Sequence, residues 1–246
     1  MKLLPSDPDT ADRVLIDIGR EAFKHARELL RAAHLILDDG IWSVAYANAA
    51  LALEEIGKAV LCTAVLPMPD EQRQTELDAF PARFTDHDVK AFCAFLILHL
   101  VEGDPGDWEG GVKRAVRDTK RTSKNKFRGL YVDYKNTGQL LKPSDITHPQ
   151  ASDLIGTVER VLALSADSEE ALANMVAHLP VLRRIRSALA EQGMTEEALA
   201  ELIPVAVAVG RDELAIEEAF QGTALGALVT EIAAENEARL AASGSE

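Results

Sequence analysis

The sequence predicts an all-α fold, a helical bundle built on a long antiparallel helix hairpin with additional C-terminal helices. Three observations carry this. Hydrophobic residues make up 47% of the 246 but aromatics only 5%, and alanine and leucine dominate, which favours helix over strand. Two long opening segments repeat apolar residues every three or four positions rather than every second one. The link between them is only Asp38-Asp39-Gly40, short enough to fold the second segment back along the first.

The first helix spans 9–37, with Val14, Ile18, Ala22, His25, Leu29, Ala32 and Ile36 as its apolar face and Gly40 as its stop signal. The second spans 41–66, with a core stripe of Tyr46, Ala49, Ala50, Leu53, Ile56, Val60 and Leu61, and Pro67-Met68-Pro69 ends it. A polar segment, 70–83, has room for a short helix. Thr85 reads as the N-cap of a third helix reaching Val101, with Asp88 as its acidic capping-box partner. Gly103, Pro105, Gly106, Gly110 and Gly111 make 102–111 a loop, and a basic helix follows over 112–126. Leu130-Tyr131-Val132-Asp133-Tyr134 has strand propensity and precedes the turn Asn136-Thr137-Gly138, giving an extended connector or a small hairpin. Thr147 opens a helix with Pro149 and Gln150 in its first turn, ending near Ala166. A helical domain over 9–166 is thus followed by a helical extension over 168–241, broken at Gln192-Gly193 and Gly210, and a disordered tail, 242–246.

The formal net charge of −14 excludes a chain that coats nucleic acid with its whole surface. Cys62 and Cys93 lie in apolar runs with no CxxC pair, so they read as small buried hydrophobes. Met1–Thr10 holds no apolar signal-peptide core. The longest apolar stretch is broken by Asn48, Glu54, Glu55 and Lys58, so no membrane span is expected and the cytoplasm is the expected compartment. Zinc-protease, P-loop, dinucleotide and nucleophile-elbow motifs are absent from the sequence, and no ExxH accompanies Glu54-Glu55. No metal or cofactor is expected.

Three constellations remain. Glu54-Glu55-Ile56-Gly57-Lys58 is a polar cluster within an apolar helix. Gly57 costs the helix about 1 kcal/mol relative to alanine, and such a glycine usually admits a close neighbour. One reading is a solvated Glu54–Lys58 pair with Glu55 on the rim. The other is a carboxylate–ammonium cluster facing a polar pocket. His87 and Lys90 share a face at the start of the third helix, and histidine titrates near neutral pH. The basic helix carries Lys113, Arg114, Arg117, Lys120, Arg121, Lys124, Lys126 and Arg128, interrupted only by Asp118. Lys113, Arg117, Lys120, Arg121 and Lys124 form a helical stripe. It either pairs with the surplus carboxylates or contacts RNA phosphates, with Phe127, Tyr131 and Tyr134 nearby for base stacking.

Taken in order, Ala49-Ala50-Leu51-Ala52-Leu53-Glu54-Glu55-Ile56-Gly57-Lys58-Ala59, His87-Asp88-Val89-Lys90 and Leu130-Tyr131-Val132-Asp133-Tyr134 with Pro143 resemble the signature of the AbiV abortive-infection family, over about 11–166. The resemblance implies a HEPN-like helical fold, a role in bacterial phage defence and a homodimer. Many HEPN proteins are metal-independent ribonucleases that use an Arg-x(4–6)-His motif at the dimer interface. There the histidine assists attack of the ribose 2′-hydroxyl and the arginine stabilises the charged transition state. Arg20–His25 and Arg27–His34 have this spacing but lie in the first helix, whereas Arg128 is followed by Asp133. The candidate catalytic set is a composite: Glu55, Lys58, His87, Lys90, Arg128, Tyr131 and Asp133.

Two functions stay open on this reading, with a small-ligand pocket between helices as a lesser third. An RNA-targeting effector uses the composite site and the basic stripe. A non-catalytic helical module binds a phage or host protein, and its polar cluster fixes the hairpin, so that Glu55→Ala is severely destabilising.

Overall fold

A computed structural model describes residues 4–5, 7–66, 70–103, 107–134 and 140–164. The expected C-terminal helices and tail lie outside them. Six α-helices dominate the described residues. The first, α1 (Pro8–Asp38), is capped by the Asp7 carboxylate, which accepts from the Thr10 amide at 2.8 Å. Its buried stripe is Ala11, Leu15, Ile16, Ala22, Phe23, Ala26 and Ala33. This is one residue off the expected face. Of that face only Ala22 is buried; Val14, Ile18, Leu29, Ala32 and Ile36 are half-buried and His25 is exposed. This face meets the next helix, and it mixes the small Ala22, Ala26 and Ala33 with the large Leu15, Ile16 and Phe23.

Gly40, at φ 78°, reverses the chain. Its N–H donates to Leu37 O and the Ile41 N–H donates to Ile36 O, the paired bonds of a glycine-terminated helix. The next helix, α2 (Trp42–Val65), is the centre of the fold. It packs against α1, against α3 (Asp70–Thr85), α4 (His87–Val101) and α5 (Trp108–Leu130), and against α6 (His148–Leu164). It therefore buries far more than the expected stripe: Ala45, Ala47, Ala52, Glu54, Gly57, Ala59 and Cys62 are also inside. Val60 and Leu61, expected in the core, are half-buried.

Three further boundaries differ from expectation. The α3 helix runs for 16 residues, anchored by buried Phe80, whose ring lies tilted against that of Phe84 at 5.3 Å. Asp86, not Thr85, caps α4, its carboxylate accepting from the Asp88 and Val89 amides, while the Thr85 hydroxyl donates back to the Pro81 and Ala82 carbonyls. The α5 helix starts a turn early because Asp107 accepts from the Gly110 amide, and it continues through Leu130. Beyond it, β1 (Asp133–Tyr134) pairs antiparallel with β2 (Leu140–Leu141), with Asp133 opposite Leu141, giving the small hairpin. A 3₁₀ turn at Pro143–Asp145 leads to α6, where the Thr147 amide donates to Gln150 Oε1 at 2.9 Å. No described helix is long and apolar enough to cross a membrane.

Candidate functional site

Two glycines set the helices that build the site. A Cβ on Gly57 would lie 1.7 Å from the Lys90 carbonyl oxygen, so the first turns of α4 rest directly on α2. A Cβ on Gly129 would lie 2.7 Å from the Ser43 carbonyl oxygen, so the end of α5 rests on the start of α2. Glu54 shares its face of α2 with Ala47, Ala50 and Gly57, one and two turns away. These small neighbours admit α4 and α5 to the carboxylate.

Glu54 is 4% exposed and bonds to the Lys126 ammonium, itself 3% exposed. Its other oxygen lies 2.5 Å from His87 Nδ1. The imidazole is different from its partners, because half of it (52%) faces solvent. Lys90 is buried at the centre. Burial lowers its pKa below the ordinary lysine value, Glu54 and Glu55 oppose that shift, and Lys58 and Lys126 add to it. Lys58 bonds both oxygens of Glu55 at 2.5 and 2.6 Å and sits over the Phe84 ring. At the rim the Ser123 hydroxyl donates to Asp88, tying α5 to the first turn of α4.

The expected Glu54–Lys58 pair is thus replaced. Lys58 turns to Glu55, and Glu54 points into the fold. Glu55, Lys58, His87 and Lys90 gather in one cluster around Glu54 and Lys126. No hydrogen bond or ion pair among the described residues joins Arg128 to it, and Arg128 Nε is buried without a hydrogen-bond partner. Tyr131, at the end of α5, is 60% exposed. Asp133 sits in β1, and its side chain lies outside the described set. The basic stripe is exposed along its length. Lys113 pairs with Glu109 and Arg117 with Asp118, whereas Lys120, Arg121 and Lys124 make no ion pair among the described residues.

Sequence reasoning centred the site on Glu55 and missed Glu54 and Lys126. Helical phase held the signal. Lys126 falls in line with Ala115, Thr119, Thr122 and Gly129, the buried face of α5, and not with the stripe.

A groove of about 340 Å³ opens on the Glu55–Lys58 side, where α1 contributes His25, Glu21 and Glu28. The other helix-one histidine, His34, bonds to Glu159 at 2.9 Å, joining α1 to α6.

A third histidine–carboxylate pair holds the far end of the α4–α5 contact. His99 Nε2 lies 2.9 Å from Asp118 Oδ2. Burial pushes the Asp118 carboxyl up, but hydrogen bonds from Arg117 and His99 outweigh it, and the net pKa is below the ordinary aspartate value of 3.8. A carboxyl depressed on folding stabilises the native state above its unfolded value and loses that contribution as pH falls through the folded value. Thermal melts in a pH series are expected to show wild type above Asp118→Asn near neutrality, with the gap closing only below the ordinary aspartate range. A gap that stays constant into strong acid overturns the assignment. Cys62 is buried as expected, whereas Cys93 is half-buried; burial pushes their thiols up to about 12 and about 11.

A family model described as AbiV, of HEPN type, matches residues 14–163. The chain belongs to the AbiV family. The match runs from the first turns of α1 to the last residues of α6, so the whole Glu54 cluster lies inside the AbiV domain. No curated protein matches the chain, and no solved structure matches it.

Proposed function

We propose that the chain is a phage-defence protein of the abortive-infection type that cleaves RNA without a metal, with His87 as its general base. One observation carries the reading: a half-exposed imidazole whose Nδ1 is held at 2.5 Å by a carboxylate that is itself buried and pinned by Lys126. A carboxylate only accepts, so Nδ1 carries the proton and Nε2 is left as a base. Nε2 takes the proton of a ribose 2′-hydroxyl, and the oxygen attacks the adjacent phosphorus. The bond from phosphorus to the 5′-oxygen breaks and that oxygen takes a proton from water, giving a 2′,3′-cyclic phosphate and a 5′-hydroxyl, while Nε2 returns its proton to solvent. Lys120, Arg121 and Lys124 are exposed cations for the strand's phosphates. Arg128 stabilises the charged transition state, supplied across a dimer as an arrangement that fits its lack of a bond to the cluster, and Tyr131 and Asp133 complete the candidate set.

The test is cleavage of single-stranded RNA by the purified chain in EDTA. Cyclic-phosphate ends are expected, with activity falling to background in His87→Ala. Unchanged cleavage in that variant removes His87 as the base, and no cleavage by wild type removes the reaction.

A second reading, a non-catalytic module that binds a phage or host protein or a second copy, has its own support. Ile41 and Trp42 at the start of α2 lie beside the end of α5, where Leu130, Tyr131 and Val132 are 43–67% exposed. Contiguous exposed apolar side chains mark interaction surfaces. The homodimer proposal uses this surface. Light scattering on a sizing column is expected to give a dimer for wild type and a monomer for Val132→Asp; a wild-type monomer rejects the dimer.

A further inference from the structure

A polar cavity of about 80 Å³ lies between α2, α4, α5 and α6. Its floor is Tyr46, 3% exposed, with Thr122 and Asn125 of α5 beside it and Phe95 as the apolar wall. Its mouth carries Arg121 from the basic stripe and Gln150, Asp153 and Thr157 from α6. Counting donors and acceptors shows what fits. Burial raises the Tyr46 phenol above its ordinary value against hydrogen bonds with Thr122 and Asn125, so it keeps its proton and is partnered within the floor. Gln150 Oε1 is occupied by the Thr147 amide and hydroxyl, which leaves the Gln150 amide N–H groups as donors. Arg121 donates only. The Thr157 hydroxyl is committed to the Asp153 carbonyl at 2.8 Å. Asp153's carboxylate is the charged acceptor and disfavours a free anion. The complement is a group with a carbonyl for the donors and an N–H for Asp153.

Size narrows it further. A cavity of roughly 150 Å³ holds benzene, so this one takes the edge of a ring, not a whole nucleoside. Resting on the RNA reading above, we propose that the cavity receives the Watson–Crick edge of an unstacked base with a ring N–H beside a carbonyl. Uracil and guanine share that edge, and adenine and cytosine lack it. Arg121 joins the two functions, because the same side chain belongs to the phosphate-facing stripe and to the mouth of the cavity. Along α2, Tyr46 lies about 12 Å from Glu54 at 1.5 Å per residue, so one strand crossing α5 reaches both. The cavity is then a specificity pocket beside the cleavage site.

The experiment measures binding of the full chain to short labelled single strands, 2′-O-methylated so that they cannot be cleaved. The strands are oligo(U), oligo(A), oligo(C) and oligo(A) interrupted by guanosine. A matched base edge is worth on the order of tenfold over a wrong one. Oligo(U) or the guanosine-containing strand is expected to bind about tenfold more tightly than oligo(A) and oligo(C), and which of the two does so names the base. Asp153→Ala at the exposed rim and Thr157→Leu, which fills the cavity, are each expected to abolish the preference over oligo(A). Lys120→Glu with Lys124→Glu weakens every strand alike. A preference that survives both cavity variants overturns the pocket. Equal binding of all four strands that still depends on Lys120 and Lys124 overturns the pocket but leaves the RNA reading standing. No binding of any strand removes both.

Discussion

Glu54→Ala is expected to cost about 3–5 kcal/mol of folding stability, read as a lower urea midpoint at unchanged slope. The reason is asymmetric. Bringing a carboxylate and an ammonium out of water is expensive, and their mutual attraction offsets that cost only while both are present. Removing Glu54 strands Lys126 at 3% exposure and takes the acidic partner from His87. Glu55→Ala, expected from sequence to be the severe change, removes a carboxylate that is 20% exposed and paired on its own helix, so its cost is about 1 kcal/mol or less. The double replacement Glu54→Leu with Lys126→Met puts apolar volume where the pair was and is expected to recover most of the stability. It also separates two roles. If RNA cleavage stays lost in the refolded double variant, Glu54 positions His87. If cleavage returns with stability, the carboxylate only holds the helices. A loss under about 1 kcal/mol in Glu54→Ala itself rejects the buried pair as a determinant of the fold.

Much of the fold was legible because helical period and stop signals are local. Gly40 reverses the chain where the glycine suggested, and Gln150 caps α6 where Thr147-x-x-Gln150 predicted it. What was hidden depended on neighbours. The buried face of α1 is decided by which side meets α2, and apolar residues on adjoining faces carry the same periodicity. Thr85 and Asp86 are both good caps by type, and the end of α3 takes Thr85. At the site, two consecutive glutamates look equivalent in sequence. Only the packing of α4 and α5 against Ala50 and Gly57 makes Glu54 the inner one. Lys126 was obscured by company: among eight basic residues, a single buried lysine is revealed by its phase with Thr122 and Gly129, not by its charge. The histidine was legible by type, but the carboxylate that gives it a defined tautomer lies 33 residues away in the chain and was not.

Gly57→Ala tests the packing that places His87. In an isolated helix the change gains about 1 kcal/mol. Here the new methyl meets the Lys90 carbonyl oxygen at 1.7 Å, where ordinary contact begins near 3.4 Å. The obstacle is α4 backbone, not the end of a flexible side chain, so α4 itself must retreat by more than an ångström. Such overpacking costs about 1–3 kcal/mol, and the net effect is expected to be destabilising. Gly156→Ala on α6 is the control, because nothing lies within 4 Å of a Cβ there and the same substitution is expected to stabilise by up to about 1 kcal/mol. The consequence for function is larger than for stability. His87 and Lys90 sit on the turns of α4 that move, and a misplacement of about 1 Å at a catalytic group typically costs about a hundredfold in rate. Well below its melting temperature, Gly57→Ala is therefore expected to stay folded by circular dichroism yet cleave RNA about a hundredfold more slowly, while Gly156→Ala cleaves normally. Equal activity in the two variants means that the contact between α2 and α4 does not set the geometry of the Glu54–His87 pair.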